Sequence, residues 1–384
     1  MPKHSPSDNA PRRTFTRRSF LATAAGATAA AALSVAAPET ESAPGQARQP
    51  AFKPLETRVL GRTGLKVTVF SMGTVGGQTD VLKAGIARGI NFIHCAQGYG
   101  TLPAVAAAIA GTRDSLRLGL CYERAGQADW EYLNRSLQAL QVDHVDILFF
   151  PLNSPDAARD RQHLDFFKQV KKQKKARFIG ITTHSDVAPT MQAAIDAGFW
   201  EVLMLSYVPS PEARAALRPV LQQAHKKNMG VVAMKTMAGI QPNAVAQMRT
   251  ALRQVLADAS VSTLVKGMLT FELLEAFFAA AARVPTNAEK AELEQYLASC
   301  RGETCALCGD CPSCPRGVNV FDVMRTFAYY YAQAGAPQFA RAEYRSIPPA
   351  ASGGLCDGCG ACAAKCPYGV DIAGHVRAAH LVLA

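Results

Sequence analysis

The chain has 384 residues, 49% of them hydrophobic and 18% charged, which excludes a disordered chain and a bundle of membrane helices. Its length admits one large domain with a smaller companion, or two medium ones. The formal charge of +11 is uneven: Lys3, Arg12, Arg13, Arg17 and Arg18 against Asp8 give the first 36 residues +4 of it. Beyond them the only dense basic block is Lys171, Lys172, Lys174 and Lys175, which reads as a solvated helix face. With no aromatic platform or reading motif beside it, a nucleic-acid partner is not expected.

At the N-terminus, Thr16-Arg17-Arg18-Ser19-Phe20-Leu21 runs directly into an Ala-rich, weakly apolar stretch, and Ser34-Val35-Ala36 offers a small-x-small cleavage site. This pattern resembles a twin-arginine (Tat) export signal, which carries already folded proteins across the bacterial inner membrane. The resemblance implies a signal over residues 1–36, the Tat translocase as partner during export, and a periplasmic location. An uncut signal would leave a membrane tether. Residues 37–54, rich in Pro, Ala, Glu and Gln, read as a flexible linker.

From Leu55 to Ala298 short apolar runs alternate with amphipathic helical stretches. Arg58 to Lys66 reads as a small hairpin turning at Thr63-Gly64. Eight strands are then predicted: Val67–Met72, Ile90–Cys95, Leu116–Tyr122, Val145–Phe150, Phe178–Thr182, Glu201–Tyr207, Gly230–Lys235 and Ser262–Val265. Helical patterns between them include Trp130–Leu140, Leu164–Lys174, Ala213–Lys227 and Ala244–Ala257. Strands that are apolar throughout belong to a parallel sheet covered by helices. Eight strand–helix units over residues 55–298 predict an α/β fold of the (β/α)8 TIM-barrel type. A doubly wound sheet fits less well, because no Gly-rich phosphate fingerprint opens the first helix.

Nine of the eleven cysteines follow residue 299. Eight of these form two runs, Cys305-x-x-Cys308-x-x-Cys311-x-x-Cys314-Pro315 and Cys356-x-x-Cys359-x-x-Cys362-x-x-x-Cys366-Pro367. A disulfide scaffold scatters its cysteines, whereas tight C-x-x-C spacing signals metal ligation. Zinc knuckles share paired C-x-x-C motifs. The second run resembles the cysteine run of bacterial ferredoxins, and two runs each ending in Cys-Pro favour two [4Fe–4S] clusters in a ferredoxin-like domain over residues 299–384. In two-cluster ferredoxins the last cysteine of each run crosses to the other cluster. That resemblance implies Cys305, Cys308, Cys311 and Cys366 for one cluster, and Cys356, Cys359, Cys362 and Cys314 for the other. Between the runs, Val318–Gln333 and Pro337–Tyr344 read as helices, with Tyr329-Tyr330-Tyr331 as core packing or a partner surface. Cys300 falls outside both runs, and Cys95, next to His94 on one strand, is expected on the opposite, core-facing side.

Several segments of the barrel region resemble the aldo/keto reductase family. They are Val59-Leu-Gly-Arg-Thr-Gly-Leu-Lys-Val67, Gly89-Ile-Asn-Phe-Ile93, Tyr99-Gly100, Val145-Asp-Ile-Leu148, Ile179-Gly-Ile-Thr-Thr-His-Ser185 and Val231-Val-Ala-Met-Lys235. The resemblance extends to the subgroup carrying a C-terminal ferredoxin-like module. Family members reduce carbonyls with a Tyr proton donor tuned by an Asp, a Lys and a His. The Tyr falls on Tyr99, but the Asp falls on His94, the Lys on Cys121 and the His on Pro151. Of the residues that hold the nicotinamide cofactor, the Ser-Asn pair reads Thr182-Thr183, the stacking aromatic survives as Tyr207, and the Glu-Asn pair reads Glu275-Ala276.

A phenol with an ordinary pKa near 10 needs a nearby cation to exchange a proton at neutral pH. Without the Lys, that cation must come from His94 or Lys235. An exported protein also has no ready supply of NADPH, so NADP is not expected as cofactor. The expected pocket gathers Tyr99, His94, Cys121, His184 and Lys235 as candidate catalytic residues. Within it, His94 beside Cys121 suggests a thiolate-forming pair, set against a small buried thiol and a core histidine. The expected function is an exported iron–sulfur oxidoreductase that exchanges electrons with a periplasmic electron-transfer protein and acts on an unidentified small molecule. The rivals are a catalytically dead barrel used for electron transfer or binding, and a residual NADPH-dependent carbonyl reductase.

Overall fold

The computed structural model of the protein describes residues 54–122, 129–152, 154–184, 186–241, 243–281, 283–332, 337–362 and 365–384. The predicted export signal, the linker up to residue 53 and Ser185 lie outside these residues. Among the described residues no helix is long and apolar enough to cross a membrane.

A two-stranded antiparallel hairpin, β1 (Thr57–Val59) and β2 (Lys66–Thr68), comes first, as predicted. Val67 belongs to this hairpin rather than to the first barrel strand. Its turn packs against the start of a barrel strand so closely that a Cβ on Gly61, whose φ is +51°, would lie 2.3 Å from the backbone nitrogen of Gly230. Leu60, Leu65 and Val67 thereby plug the bottom of the barrel, packing with Phe92, Ile147 and Phe149.

Eight parallel strands close the barrel: β3 (Phe70–Gly73), β4 (Phe92–Ala96), β5 (Arg117–Cys121), β6 (Val145–Pro151), β7 (Ala176–Thr183), β8 (Val202–Ser206), β9 (Gly230–Met234) and β10 (Thr263–Gly267). Alternate residues of each strand face opposite ways. One set, including Phe92, Ile147, Phe149, Val202, Met204 and Val232, fills the barrel interior. The other, including Ile93, Leu120, Leu148, Ile181 and Leu203, packs under the helices. Two-sided burial explains why these strands are apolar throughout.

The covering helices are α1 (Thr79–Ala87), α2 (Leu102–Ile109), α3 (Trp130–Leu140), α4 (Arg161–Lys172), α5 (Val187–Ala197), α6 (Pro211–Lys226), α7 (Val245–Leu256) and α8 (Phe271–Ala280). A ninth, α9 (Asn287–Ser299), starts with a Thr286/Glu289 capping box and buries Leu293 against Ile240 and Ala251. Lys171 and Lys172 close the last turn of α4, where Lys171 pairs with Glu201 at 2.8 Å.

The C-terminal module contains α10 (Val320–Ala332), α11 (Pro337–Arg345) and α12 (Ile372–Leu383), with both cysteine runs in loops around them. Its small core joins Val323, Met324, Tyr344, Val376 and Leu383. The module lies on the barrel. Tyr368 and Ser210 share a hydrogen bond of 2.7 Å between their hydroxyls, Gln241 donates to Thr304 at 2.8 Å, and Arg301 pairs with Glu212.

Candidate active site and cluster-binding residues

At the C-terminal ends of the strands a cavity of about 1160 Å³, open mouth included, is lined by His94, Tyr99, Cys121, His184 and Lys235. This is the end of a (β/α)8 barrel where chemistry is built. Strand parity explains the gathering. His94 shares its inward parity with Phe92, pairs in register with Gly119, and so points inward, while Cys95 packs in the outer core. Cys121 ends β5 on the same inward side as Gly119. Tyr99 follows β4 in a short 3-10 turn.

The roof of the cavity comes from the module. Cys305, Leu307, Ala328 and Tyr329 line it together with the barrel residues. Phe339 meets the Tyr99 ring edge-on at 5.4 Å between centroids, Phe321 lies over His184 at 6.3 Å, and Tyr329 is hydrogen-bonded to Lys235. Three of the expected pocket residues therefore each touch a module aromatic.

The electrostatics of the cavity are cationic. Lys235 and Lys266 both line it, and no Asp or Glu is among the described lining residues. Burial, with Lys235 nearby, lowers the Lys266 pKa to about 8. Burial alone takes His94 down to about 4, and burial with Lys235, Arg325 and His94 nearby holds His184 well below its ordinary value. Both imidazoles are neutral at pH 7. His94 Nε2, His184 Nδ1 and Thr236 Oγ1 are buried with no hydrogen-bond partner among the described residues, so the cavity presents polar atoms for a ligand to satisfy. A His94 that binds protons only near pH 4 is too weak a base to take the proton of an ordinary thiol, which argues against a thiolate–imidazolium pair with Cys121.

Tyr207 corrects an expectation. Its ring is packed in the outer core, it is 5% exposed, and its hydroxyl donates to Asp258 at 2.9 Å. Burial and that carboxylate push its pKa up. Tyr207 is not among the described residues that line the pocket. Conversely, Lys266 went unnoticed in the sequence, and Tyr329 was expected only as core packing or a partner surface. Lys266 is reached because β10 runs two residues beyond the predicted strand, to Gly267. Lys235 sits at the end of β9 with φ +58°, a left-handed conformation that costs a non-glycine residue of order 1–3 kcal/mol and clusters at functional sites.

The cysteines fall into two spatial groups. One cavity is bordered by Cys305, Cys308, Cys311 and Cys366. Cys311 feels the charges of Cys305, Cys308 and Cys366, whereas Cys362 feels Cys356, Cys314 and Cys359. This is the crossed grouping expected of a two-cluster ferredoxin. Backbone N–H groups turn toward the sulfurs. Leu307, at φ +51°, donates to Cys305 Sγ at 3.5 Å, and Arg316 donates to Cys314 Sγ at 3.4 Å. Burial pushes the Cys305 thiol up to about 11 and Cys308 up to about 12, with crowding by neighbouring thiols adding to both. Four thiols packed around one space are thus poorly placed to ionise unless cationic iron takes up their charge, and the donor set fits an iron–sulfur cluster. Among the described residues no three His, Cys, Asp or Glu side chains converge on a single-ion site. A four-iron cluster does not require that, because each thiolate meets its own iron.

Fold and cysteine geometry together define an α/β-barrel oxidoreductase carrying an iron–sulfur module. Residues 77–284 match the aldo/keto reductase family, and the chain belongs to it. Residues 304–372 match the 4Fe-4S dicluster domain. No curated protein matches the chain. Among solved structures, a protein from Pseudomonas aeruginosa provisionally classed as an aldo-keto reductase is similar at 20% identity, covering 61% of this chain and 98% of that one, with a TM-score of 0.53. The holo form of an aldo-keto reductase from Bacillus halodurans is similar at 18% identity, covering 63% and 96%, with a TM-score of 0.51. At these identities the likeness is one of fold.

Proposed function

We propose that this protein is an exported iron–sulfur oxidoreductase. Its barrel pocket holds a small-molecule substrate and exchanges electrons with two [4Fe–4S] clusters rather than with NADPH. The observation that carries the reading is the shared cavity: Cys305, an expected cluster ligand, lines the same space as Tyr99, His94, Cys121, His184 and Lys235. When bound, a [4Fe–4S] cluster supplies one-electron transfer. Cys305, Cys308, Cys311 and Cys366 would hold the cluster nearer the pocket, and Cys314, Cys356, Cys359 and Cys362 the other. An outer position suits exchange with a periplasmic electron-transfer protein, since Cys359 is exposed and Cys305 is not.

Support for abandoning the nicotinamide comes from three of the four family catalytic positions, which carry His94, Cys121 and Pro151, and from the buried ring of Tyr207. Support for export comes from Arg17-Arg18 ahead of the Ala-rich stretch. Clusters assembled inside the cell agree with a translocase that moves folded cargo. The net positive charge favours an acidic redox partner.

The test is anaerobic addition of NADPH to the purified holoprotein while the visible cluster absorbance is followed, with dithionite as control. Bleaching by dithionite and not by NADPH is expected. Bleaching by NADPH would sink the nicotinamide-free reading. For export, Arg17→Lys with Arg18→Lys should leave the protein in the cytoplasmic fraction.

A further inference from the structure

We propose that Tyr329, supplied by the C-terminal module rather than by a barrel strand, is the proton-exchanging group of the barrel pocket, acting on the carbonyl or hydroxyl oxygen of a small molecule bound there. The inference rests on the reading of this cavity as a substrate site.

The geometry is that of a phenol held between two cations. Lys235 Nζ donates to the Tyr329 hydroxyl and lies 4.2 Å from the ring centroid. Arg325, one turn earlier on α10, places its guanidinium carbon 5.4 Å from the same centroid. Arg325 is itself fixed by Asp322 on α10 at 3.2 Å and by Glu343 on α11 at 2.8 Å. Lys266 and the neutral His94 and His184 line the same cavity. From α12, His375 faces Phe327 instead. Phe339 of α11 packs on the Tyr329 ring at 5.5 Å. Burial by itself would raise this phenol's pKa, but Lys235 and Arg325 outweigh it and hold the group below its ordinary value. Tyr99, the position the family resemblance points to, also meets Phe339, at 5.4 Å between centroids.

As donor, Tyr329 loses its O–H proton to the ligand oxygen, which gains an O–H bond. The phenolate left behind is held by the Lys235 ammonium and the Arg325 guanidinium, and a proton from solvent restores it. No electron moves in this step. The unpartnered His94 Nε2, His184 Nδ1 and Thr236 Oγ1 offer the polar contacts that would orient the ligand oxygen.

The test has two arms on the full-length, cluster-loaded protein. In the first, tyrosine ionisation is followed by ultraviolet pH-difference absorbance. One tyrosine should ionise below the rest in the wild type, vanish in Tyr329→Phe, move upward in Lys235→Met and return in Lys235→Arg. Superimposable wild-type and Tyr329→Phe curves would overturn the assignment. In the second, anaerobic reduction of benzaldehyde to benzyl alcohol by dithionite-reduced methyl viologen is measured against pH. Wild-type kcat should fall as Tyr329 ionises, and Tyr329→Phe should lower kcat about 10²-fold and abolish that limb. If Tyr99→Phe removes the limb and Tyr329→Phe keeps it, Tyr99 is the donor and the proposal fails. Absence of wild-type turnover beside an intact tyrosine shift would sink the substrate-site reading instead. The two failures are therefore distinguishable.

Discussion

Lys266 enters the cavity with Lys235 beside it, and its pKa of about 8 is a statement about stability as well as chemistry. An unfolded lysine keeps its proton to about pH 10.4. Between pH 8 and that value the unfolded chain binds more protons than the native one, so stability rises with pH through this window, and below it a constant penalty remains. Lys266→Met is therefore expected to stabilise the fold at pH 7 by up to about 3 kcal/mol, with the gain shrinking toward pH 10. Denaturant unfolding at the two pH values measures it; equal stability of variant and wild type at pH 7 would mean that the ammonium is solvated. A lysine kept in a pocket at that cost is more readily explained by a ligand than by packing. His94 works in the same sense. With a native pKa of about 4 against about 6.5 unfolded, its contribution is intact above pH 6.5 and is lost as pH falls toward 4. Between pH 6.5 and 5 the wild type should lose about 2 kcal/mol more than His94→Gln, read as the difference between their unfolding midpoints. His94 was visible in the sequence because the family's catalytic Asp falls on it, and strand parity then separates it from Cys95. Lys266 was not, because the end of an apolar run does not reveal how far pairing with the next strand continues.

At the level of elements, the barrel interior depends on two glycines flanking one aromatic. Phe149 on β6 is fully buried between Gly119 on β5 and Gly180 on β7. A Cβ on Gly180 would lie 2.7 Å from Phe149 ring carbons, and one on Gly119 would lie 2.9 Å away, with the Phe92 ring at 3.0 Å. A close-packed interior cannot absorb this without rotating the ring. Gly180→Ala is expected to destabilise by about 1–3 kcal/mol, measured as a lowered denaturation midpoint, and Phe149→Leu in the same chain should recover part of the loss. If Gly180→Ala is neutral, the ring has room that the contacts do not suggest. The strands themselves were legible, since two-sided burial makes each an apolar run, and Trp130–Leu140 matches α3 end to end. The roles of Tyr329, Tyr330 and Tyr331 were not. Consecutive helical residues point about 100° apart, so the tyrosines diverge: Tyr329 toward Lys235, Tyr330 onto Phe327, and Tyr331 accepting a bond from the Cys305 amide at 3.4 Å. Which of the three enters the barrel is decided by how α10 docks, and the local sequence holds no record of that.

Across the whole molecule, the crossing of the cysteine runs ties the ends of the module together and sets one cluster site against the barrel. Cys366 belongs with Cys305, Cys308 and Cys311 although the α10–α11 pair intervenes in the chain. Spacing alone marked these as metal ligands, and the resemblance to ferredoxins supplied both the iron–sulfur clusters and the exchange between runs. What neither disclosed was that Cys305 would also form a wall of the barrel pocket. The grouping predicts non-additive losses of iron. Cys366→Ser and Cys305→Ser should each remove the same cluster, and the double variant should hold as much iron as either single one. Cys366→Ser with Cys362→Ser should lose both clusters. Iron analysis with electron paramagnetic resonance of the dithionite-reduced proteins distinguishes these cases, and additive loss in the Cys305/Cys366 pair would contradict the crossed arrangement. The raised thiol pKa values of Cys305 and Cys308 add a direction to pH dependence. Ligation removes protons that these buried, crowded thiols otherwise keep, so cluster retention must weaken as pH falls. Tyr331 accepts from the Cys305 backbone one helical step from Ala332, and Tyr329 on the same helix reaches Lys235. Loss of the pocket-side cluster should therefore also disturb the Tyr329–Lys235 contact. Loss of the outer cluster through Cys359→Ser should leave the low-pH tyrosine titration unchanged, and a shift there would mean that the two halves of the module do not move independently.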